Sequence, residues 1–172
     1  MIACPFCGSE NTEGSDVCDD CQHSLTDLSQ PSFETPVERG LMNDRIEALS
    51  PKVPLSVAPQ TPIGEVLNQM VAASIGYVMI VEGDQLIGIF SEYDAVRKVN
   101  SNAAQMGTRP ISSVMTPAPV TLEASDKIAF ALHKMHVGGY RHLPIMTNGK
   151  LTGVISIRDI LNYLAKRIGV PA

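Results

Sequence analysis

A chain of 172 residues with 44% apolar side chains has material for one ordinary domain plus a small appendage and is too apolar to be disordered throughout; with 5% aromatics and no Trp, its core must be aliphatic. The net charge of −5 is unevenly spread: residues 1–48 hold ten acidic and two basic side chains (−8), residues 49–172 eight and eleven (+3). That disfavours nucleic-acid binding by the front third and leaves the remainder short of a basic footprint, though mildly suited to a small anion.

The first element is defined by cysteine. All four lie within the first 21 residues, as Cys4-x2-Cys7 and Cys18-x2-Cys21. Each C-x2-C pair forms a knuckle aiming two sulfurs at one point, and two knuckles supply the tetrahedral thiolate set that Zn²⁺ prefers. A segment this short cannot bury a core, so the metal would supply most of its folding free energy. Iron suits the same ligands, as in a rubredoxin-like electron carrier. Two disulfides are the other alternative, disfavoured in a reducing compartment. Met1-Ile2-Ala3-Cys4-Pro5 has neither the basic start nor the apolar stretch of a secretion signal, and no apolar run approaches the roughly 20 residues of a bilayer span, so a cytoplasmic location without membrane contact is expected. Cys4-Pro5-Phe6-Cys7-Gly8 resembles the short zinc ribbons that open many bacterial and archaeal proteins. The second knuckle departs from them, with Gln22 where a glycine is usual, and His23 beyond it is expected on the surface.

Residues 22–40 are rich in Ser, Thr, Pro and acid and read as a mobile or loosely packed connector. Leu41, Met42, Ile46 and Leu49 then fall at helical spacing and predict a short lead-in helix.

From there the chain repeats itself at a shift of 65. Ile46 falls on Ile111, Pro54 on Pro119, Ile63 on Ile128, Met70 on Met135, Gly88 on Gly153, Ser91 on Ser156 and Asp94 on Asp159. A fixed period means a duplicated structural unit. Each copy predicts an extended piece (54–57; 119–122) and a helix with apolar positions 63, 66, 67, 70 or 128, 131, 132, 135, begun by Thr61-Pro62 or Asp126. Next come a strand (77–81; 143–146), a turn, a second strand (86–90; 151–155) and a second helix (92–99; 157–168). The fold class is α/β (α+β), a tandem of β-α-β-β-α units whose sheet faces cover each other.

Gly139-Tyr140-Arg141-His142-Leu143-Pro144-Ile145, Gly153-Val154-Ile155-Ser156-Ile157-Arg158-Asp159 and, in the first copy, Gly88-Ile89-Phe90-Ser91-Glu92-Tyr93-Asp94 make the repeat resemble the CBS domain and the pair a Bateman module. The domain reading is then a zinc ribbon at 1–24, linker and lead-in helix at 25–45, and repeats at 46–108 and 109–172. The resemblance implies a non-enzymatic regulatory module that binds an adenosine-type nucleotide (AMP, ADP, ATP or a related adenosyl compound) and pairs into a homodimer. By position, Ser156 and Asp159 would hold ribose, Arg141 and His142 would face phosphate, and the stretch of Thr116, Val120 and Thr121 would flank the purine.

The chemistry fits those roles. A carboxylate in the first helical turn can accept both hydroxyls of a ribose, and arginine pairs bidentately with phosphate. Ser-x-x-Asp is equally a helix capping box, and the serine can cap while the aspartate binds. The first copy keeps Ser91 and Asp94 but has Gly76 and Tyr77 where the second has Arg141 and His142. One competent nucleotide site is therefore expected, with a first cleft that is weak, empty or bound by a neutral ligand. No phosphate-binding loop, dinucleotide fingerprint, zinc-protease motif or nucleophile elbow occurs. The competing functions are a ligand-independent dimerisation adaptor whose ribbon docks a protein partner, and a nucleic-acid-binding regulator using the ribbon; four thiolates around Zn²⁺ would add a further −2 to an already acidic segment.

Overall fold

In the computed structural model, residues 1–12, 14–25, 35–99 and 103–169 are described, without the side chains of residues 103 and 104. The expected connector thus lies partly, over 26–34, outside the described residues. In chain order the elements are β1 (Ile2–Ala3), β2 (Glu10–Asn11), α1 (Pro36–Asn43), a 3₁₀ turn (Ile46–Leu49), β3 (Ser56–Val57), α2 (Ile63–Ala73), β4 (Tyr77–Glu82), β5 (Gln85–Ser91) and α3 (Glu92–Asp94). They continue with a π turn (Ala95–Val99), α4 (Ala103–Met106), a 3₁₀ turn (Ile111–Ser113), β6 (Thr116–Pro117), β7 (Leu122–Glu123), α5 (Ile128–Gly138), β8 (His142–Thr147), β9 (Lys150–Ser156) and α6 (Ile157–Ile168). The helices and strands read from the repeat are present in both copies. The chain divides into two compact units: Met1–Ser50 with Ala124–Arg141 and Ile155–Ala172, and Pro51–Glu123 with His142–Val154.

The second of these units holds the four-stranded sheet β3-β4-β5-β6. β3 runs parallel to β4, β4 and β5 form an antiparallel hairpin with a register shift at Ile80/Val81, and β5 pairs antiparallel with β6. A three-stranded sheet follows the order β7-β8-β9, with β7 parallel to β8. Its hairpin closes on Asn148-Gly149, both at positive φ (51° and 75°), the demand of a type I′ turn. The core is aliphatic, as composition dictates: α2 turns Ile63, Val66 and Met70 inward among Val57, Val78, Ile80, Phe90, Val99, Ile111 and Val114.

The caps of the first helix in each repeat differ from expectation. α2 is capped by Pro62 and α5 by Lys127, neither with a side-chain bond. Backbone carbonyls replace Thr61 and Asp126 in that role. The N–H groups of Ile63 and Gly64 donate to the carbonyls of Arg109 and Gly107 (both 2.9 Å), and that of Ile128 to Asp44 (3.0 Å). Orphan donors at a helix start accept any well-placed carbonyl, so long-range backbone bonds made a local cap unnecessary.

The other unit contains the cysteine segment, α1, α5 and α6. The lead-in is two pieces, not one helix over 41–49: α1 ends at Asn43, Asp44 is extended (ψ 147°), and the 3₁₀ turn follows. α1 begins five residues earlier than expected, inside the supposed connector. Thr35 and Glu38 form a reciprocal capping box around Pro36 at the first helical position, a start signal strong enough to order the segment. Asp44 then binds α6: its Oδ2 accepts from the Tyr163 hydroxyl (2.7 Å) and from the Arg167 guanidinium. Burial, then the bond to Asp44, push the Tyr163 phenol up to about 12.

Gly40 is buried on α1 where this network closes. A Cβ there would fall 2.3 Å from the Tyr163 hydroxyl oxygen. Gly40→Ala should gain about 1 kcal/mol in helix propensity and lose about 1–3 kcal/mol to overpacking, for a net loss measurable as a lower urea midpoint. In a Tyr163→Phe background, where the hydroxyl is gone, the same substitution should become neutral or stabilising.

Candidate functional site

Two constellations carry chemistry. In the first, the sulfurs of Cys4, Cys7, Cys18 and Cys21 all lie within 4.8 Å of one another, and none forms a disulfide. Cys4 Sγ is 3.7 Å from Cys21 Sγ, and Cys7 Sγ 3.5 Å from Cys18 Sγ. A tetrahedral ion with metal–sulfur bonds of about 2.3 Å sets its ligands about 3.8 Å apart, so the four sulfurs fit such an ion. The knuckles are built alike. The N–H of Gly8 donates to the Cys4 carbonyl and that of Gln22 to the Cys18 carbonyl, both at 2.9 Å, and both residues have positive φ (79° and 58°). The turn after Cys21 therefore forms with Gln22, at the strain a side chain carries in the left-handed region.

Protonation differs among the sulfurs. Backbone donors, first that of Cys21, draw the Cys18 thiol down to about 6, whereas burial pushes Cys21 up to about 12 and also raises Cys4. His23 is exposed and stacks on Phe6 with ring centroids 3.4 Å apart. The first knuckle rests on α5: Gly8 lies so close to the Phe130 ring that a Cβ would sit 3.1 Å from it.

The second constellation is the pair of Ser-x-x-Asp junctions. Where β9 enters α6, Asp159 Oδ2 accepts from the Ser156 amide (2.7 Å) and hydroxyl (2.6 Å), and Ser156 Oγ in turn accepts from the Asp159 amide. Where β5 enters α3, Asp94 Oδ2 accepts from the Ser91 amide (3.0 Å) and hydroxyl (2.6 Å). Both junctions are full capping boxes. The residue at position 141 or 76 lies beside each helix start, since the Ile157 N–H donates to the Arg141 carbonyl and the Glu92 N–H to the Gly76 carbonyl (both 3.0 Å). Ser156, Asp159 and exposed Arg141 thus meet at one end of α6.

The remaining expected residues belong to the other compact unit. His142 stacks on Tyr77, its own counterpart in the repeat, with centroids 4.4 Å apart. Val120 and Thr121 precede β7, half-buried and exposed. Thr116, expected to flank the purine, donates its hydroxyl to Asp94 Oδ1 (3.1 Å). The reason is topological: β6 pairs with β5, the strand that ends at Ser91, which carries Thr116 to the first copy's carboxylate.

Sequence reasoning missed Lys98. Its ammonium holds Asp94 Oδ1 at 2.8 Å and also donates to the Val114 carbonyl (2.9 Å) and Thr116 Oγ1 (3.2 Å). The Asp94-to-Lys98 spacing, i to i+4 on one helix face, was the available signal. Burial raises the Asp94 pKa, but the bonds from Lys98 and Ser91 outweigh it and hold the carboxyl below its usual range.

The fold and these junctions define a tandem-repeat protein with strand-to-helix carboxylates at equivalent positions. A family model for the CBS domain matches residues 44–101 and 111–166, and the chain belongs to that family as a CBS pair. Among curated proteins it is 33% identical over 109 residues to the CBS domain-containing protein CBSCBSPB5 of Arabidopsis thaliana, an alignment covering 62% of this chain and only 20% of that protein. Among solved structures it is similar to the CBS-domain protein ATU1752 from Agrobacterium tumefaciens (28% identity, TM-score 0.63, 69% of this chain and 94% of that one). It is also similar to the CBS domain protein PAE2072 from Pyrobaculum aerophilum, solved in complex with AMP (27% identity, TM-score 0.61, 71% and 98%). No helix among the described residues is long and apolar enough to cross a membrane.

Two outcomes follow from the geometry. Gln22→Gly should relieve the left-handed strain and stabilise the cysteine segment by about 1 kcal/mol, read as slower amide exchange at residues 18–25. Asp94→Asn should cost about 1–2 kcal/mol at pH 7, read by urea denaturation. Because the folded-state pKa is depressed, that stabilisation is complete above about pH 4 and is lost as pH falls through the folded value, so the two proteins should converge in acid.

Proposed function

We propose that the chain is a non-enzymatic regulatory module whose CBS pair binds one adenosine-type nucleotide, AMP, ADP or ATP, and whose first 24 residues form a structural zinc ribbon that docks a protein partner. The observation that carries the nucleotide reading is the meeting of Ser156, Asp159 and the Arg141 backbone at the start of α6, which puts a carboxylate and an exposed arginine on neighbouring segments. The AMP complex of the Pyrobaculum aerophilum relative supports it. Asp159 accepts the ribose hydroxyls while its Oδ2 keeps the cap, Arg141 and His142 meet phosphate, and Val120 and Thr121 remain the candidates for the purine edge. Four deprotonated sulfurs around Zn²⁺ hold the ribbon together, and the metal supplies cross-linking, not chemistry.

The proposed division remains a ribbon at 1–24, a linker and lead-in at 25–45, and repeats at 46–108 and 109–172. The protein works in the cytoplasm, away from membranes, as a homodimer. Exposed apolar side chains support that pairing, Leu161 and Ile168 on α6 and Val96 in the π turn after α3. A bound nucleotide alters the packing of the repeats because it binds one arrangement better than another, and the ribbon or its partner reads the change.

Calorimetry with AMP and adenosine on the full chain, alongside native mass spectrometry, tests this. One nucleotide and one zinc per chain are expected. Asp159→Ala should abolish binding of both ligands. Arg141→Ala should weaken AMP about 10- to 100-fold and leave adenosine unchanged, as loss of a charged phosphate contact requires. A folded protein that binds neither ligand would instead be the adaptor, bound iron would make the ribbon an electron carrier, and salt-dependent retention on DNA would assign it to nucleic acid.

A further inference from the structure

The two repeats share one backbone frame, so residues at a shift of 65 report what each junction does with it. Lys98 and Tyr163 are such a pair, each four residues after its aspartate. Tyr163 gives its hydroxyl to Asp44. Lys98 gives its ammonium to Asp94 Oδ1, with Val114 O and Thr116 Oγ1 completing three acceptors around one nitrogen. Asp94 Oδ2 is already held by the Ser91 amide and hydroxyl. Both oxygens of the first copy's carboxylate are therefore engaged from within the chain, and the side chain is only 13% exposed. The π turn over Ala95–Val99 belongs to the same arrangement, since a wider turn immediately after Asp94 is where Lys98 leaves the backbone.

A second pair points the same way. Gly76 stands where Arg141 stands, and the Glu92 carboxylate covers it so closely that a Cβ there would fall 2.6 Å from Oε1. The counterpart of Glu92 is Ile157. Where the second copy presents a guanidinium, the first presents a carboxylate.

We infer that Lys98 is an internal occupant of the first cleft: its ammonium takes the carboxylate oxygen that a ribose diol would need, and Glu92 makes the same cleft hostile to phosphate. The inference rests on the reading of these junctions as nucleoside sites and supplies the physical reason for one site per chain. A diol brings neutral donors, whereas Lys98 brings a full opposite charge tethered in the same chain, so ribose does not displace it. Removing the ammonium leaves Asp94 Oδ1 with Thr116 alone and opens an acceptor to a neutral nucleoside.

The test uses adenosine and AMP on the full chain by calorimetry, with circular dichroism to show folding. Asp159→Ala should bind no adenosine. Asp159→Ala with Lys98→Met should bind one per chain, at least tenfold tighter than AMP, and adding Asp94→Ala should abolish the gain. Lys98→Gln serves as the second variant, and carbon-13 NMR of the Asp94 carboxyl should show its midpoint rising when Lys98 is replaced. Three results would overturn the inference: no adenosine bound by the folded double variant, one bound by Asp159→Ala with Lys98 intact, or an Asp94 midpoint indifferent to Lys98. Equal binding of AMP and adenosine by the double variant would overturn the part assigned to Glu92. If the wild-type chain binds nothing while the double variant binds adenosine, the reading of Asp159 fails and that of Lys98 stands.

Discussion

The bond between a serine ending a strand and an aspartate opening the next helix is the constraint on which both repeats depend. It closes the strand-to-helix corner, satisfies the first orphan amides of the helix, and fixes a carboxylate at a place determined by the backbone. One oxygen of each carboxylate, Oδ2, is committed to that corner in both copies. A ligand held at either corner, as proposed, would therefore have only the other oxygen and whatever side chain the preceding loop brings to the helix start. The two copies keep the corner and differ in the side chains around it.

A different economy governs the cysteine segment. Two-residue strands and a short loop bury little beyond Cys4, Cys18 and Leu25, so no hydrophobic term of useful size is available there. Its sulfurs nevertheless stand at the spacing of a tetrahedral ligand set, which means the backbone turns, not the core, carry the geometry. Those turns depend on two left-handed residues, one of which is a glutamine. The segment also rests against α5 through Gly8 and Phe130, and α1 ties itself to α6 through Asp44. The part of the chain that looked like a tethered appendage in composition shares a compact unit with helices of the second repeat.

Periodicity made most of the fold legible. Apolar residues at helical and alternating spacing, seen twice at a shift of 65, located α6 and the two hairpins to within a residue or so at each end and marked where α2 and α5 begin. The four-sulfur cluster was equally plain, because ligand spacing is local. What escaped was whatever depended on long-range pairing. The helix starts at Ile63 and Ile128 are satisfied by carbonyls some 45 and 85 residues away in the chain, by the rule that any suitable acceptor serves an orphan donor, and no local signal announces that. The bond of Thr116 to Asp94 is hidden for the same reason: the partner of β6 is a fact of topology. The Thr35-Glu38 box and the Asp94-Lys98 spacing are local signals, masked by a surrounding composition typical of a linker and by the second role open to the aspartate as a ligand.

The contrast between the repeats is one of charge on a common frame. At the first helix start the sequence places Glu92 over a glycine and an ammonium on the carboxylate; at the second it places an isoleucine, an exposed arginine and a tyrosine turned toward Asp44. A pair of identical clefts would let one chain bind two ligands and couple them, since each could shift the same packing equilibrium. On the proposed reading, with the first carboxylate satisfied internally, that coupling would have no second ligand within the chain. Any steepness in a ligand response would then have to come from a second copy of the protein, which makes association of chains and the number of sites per chain one physical question.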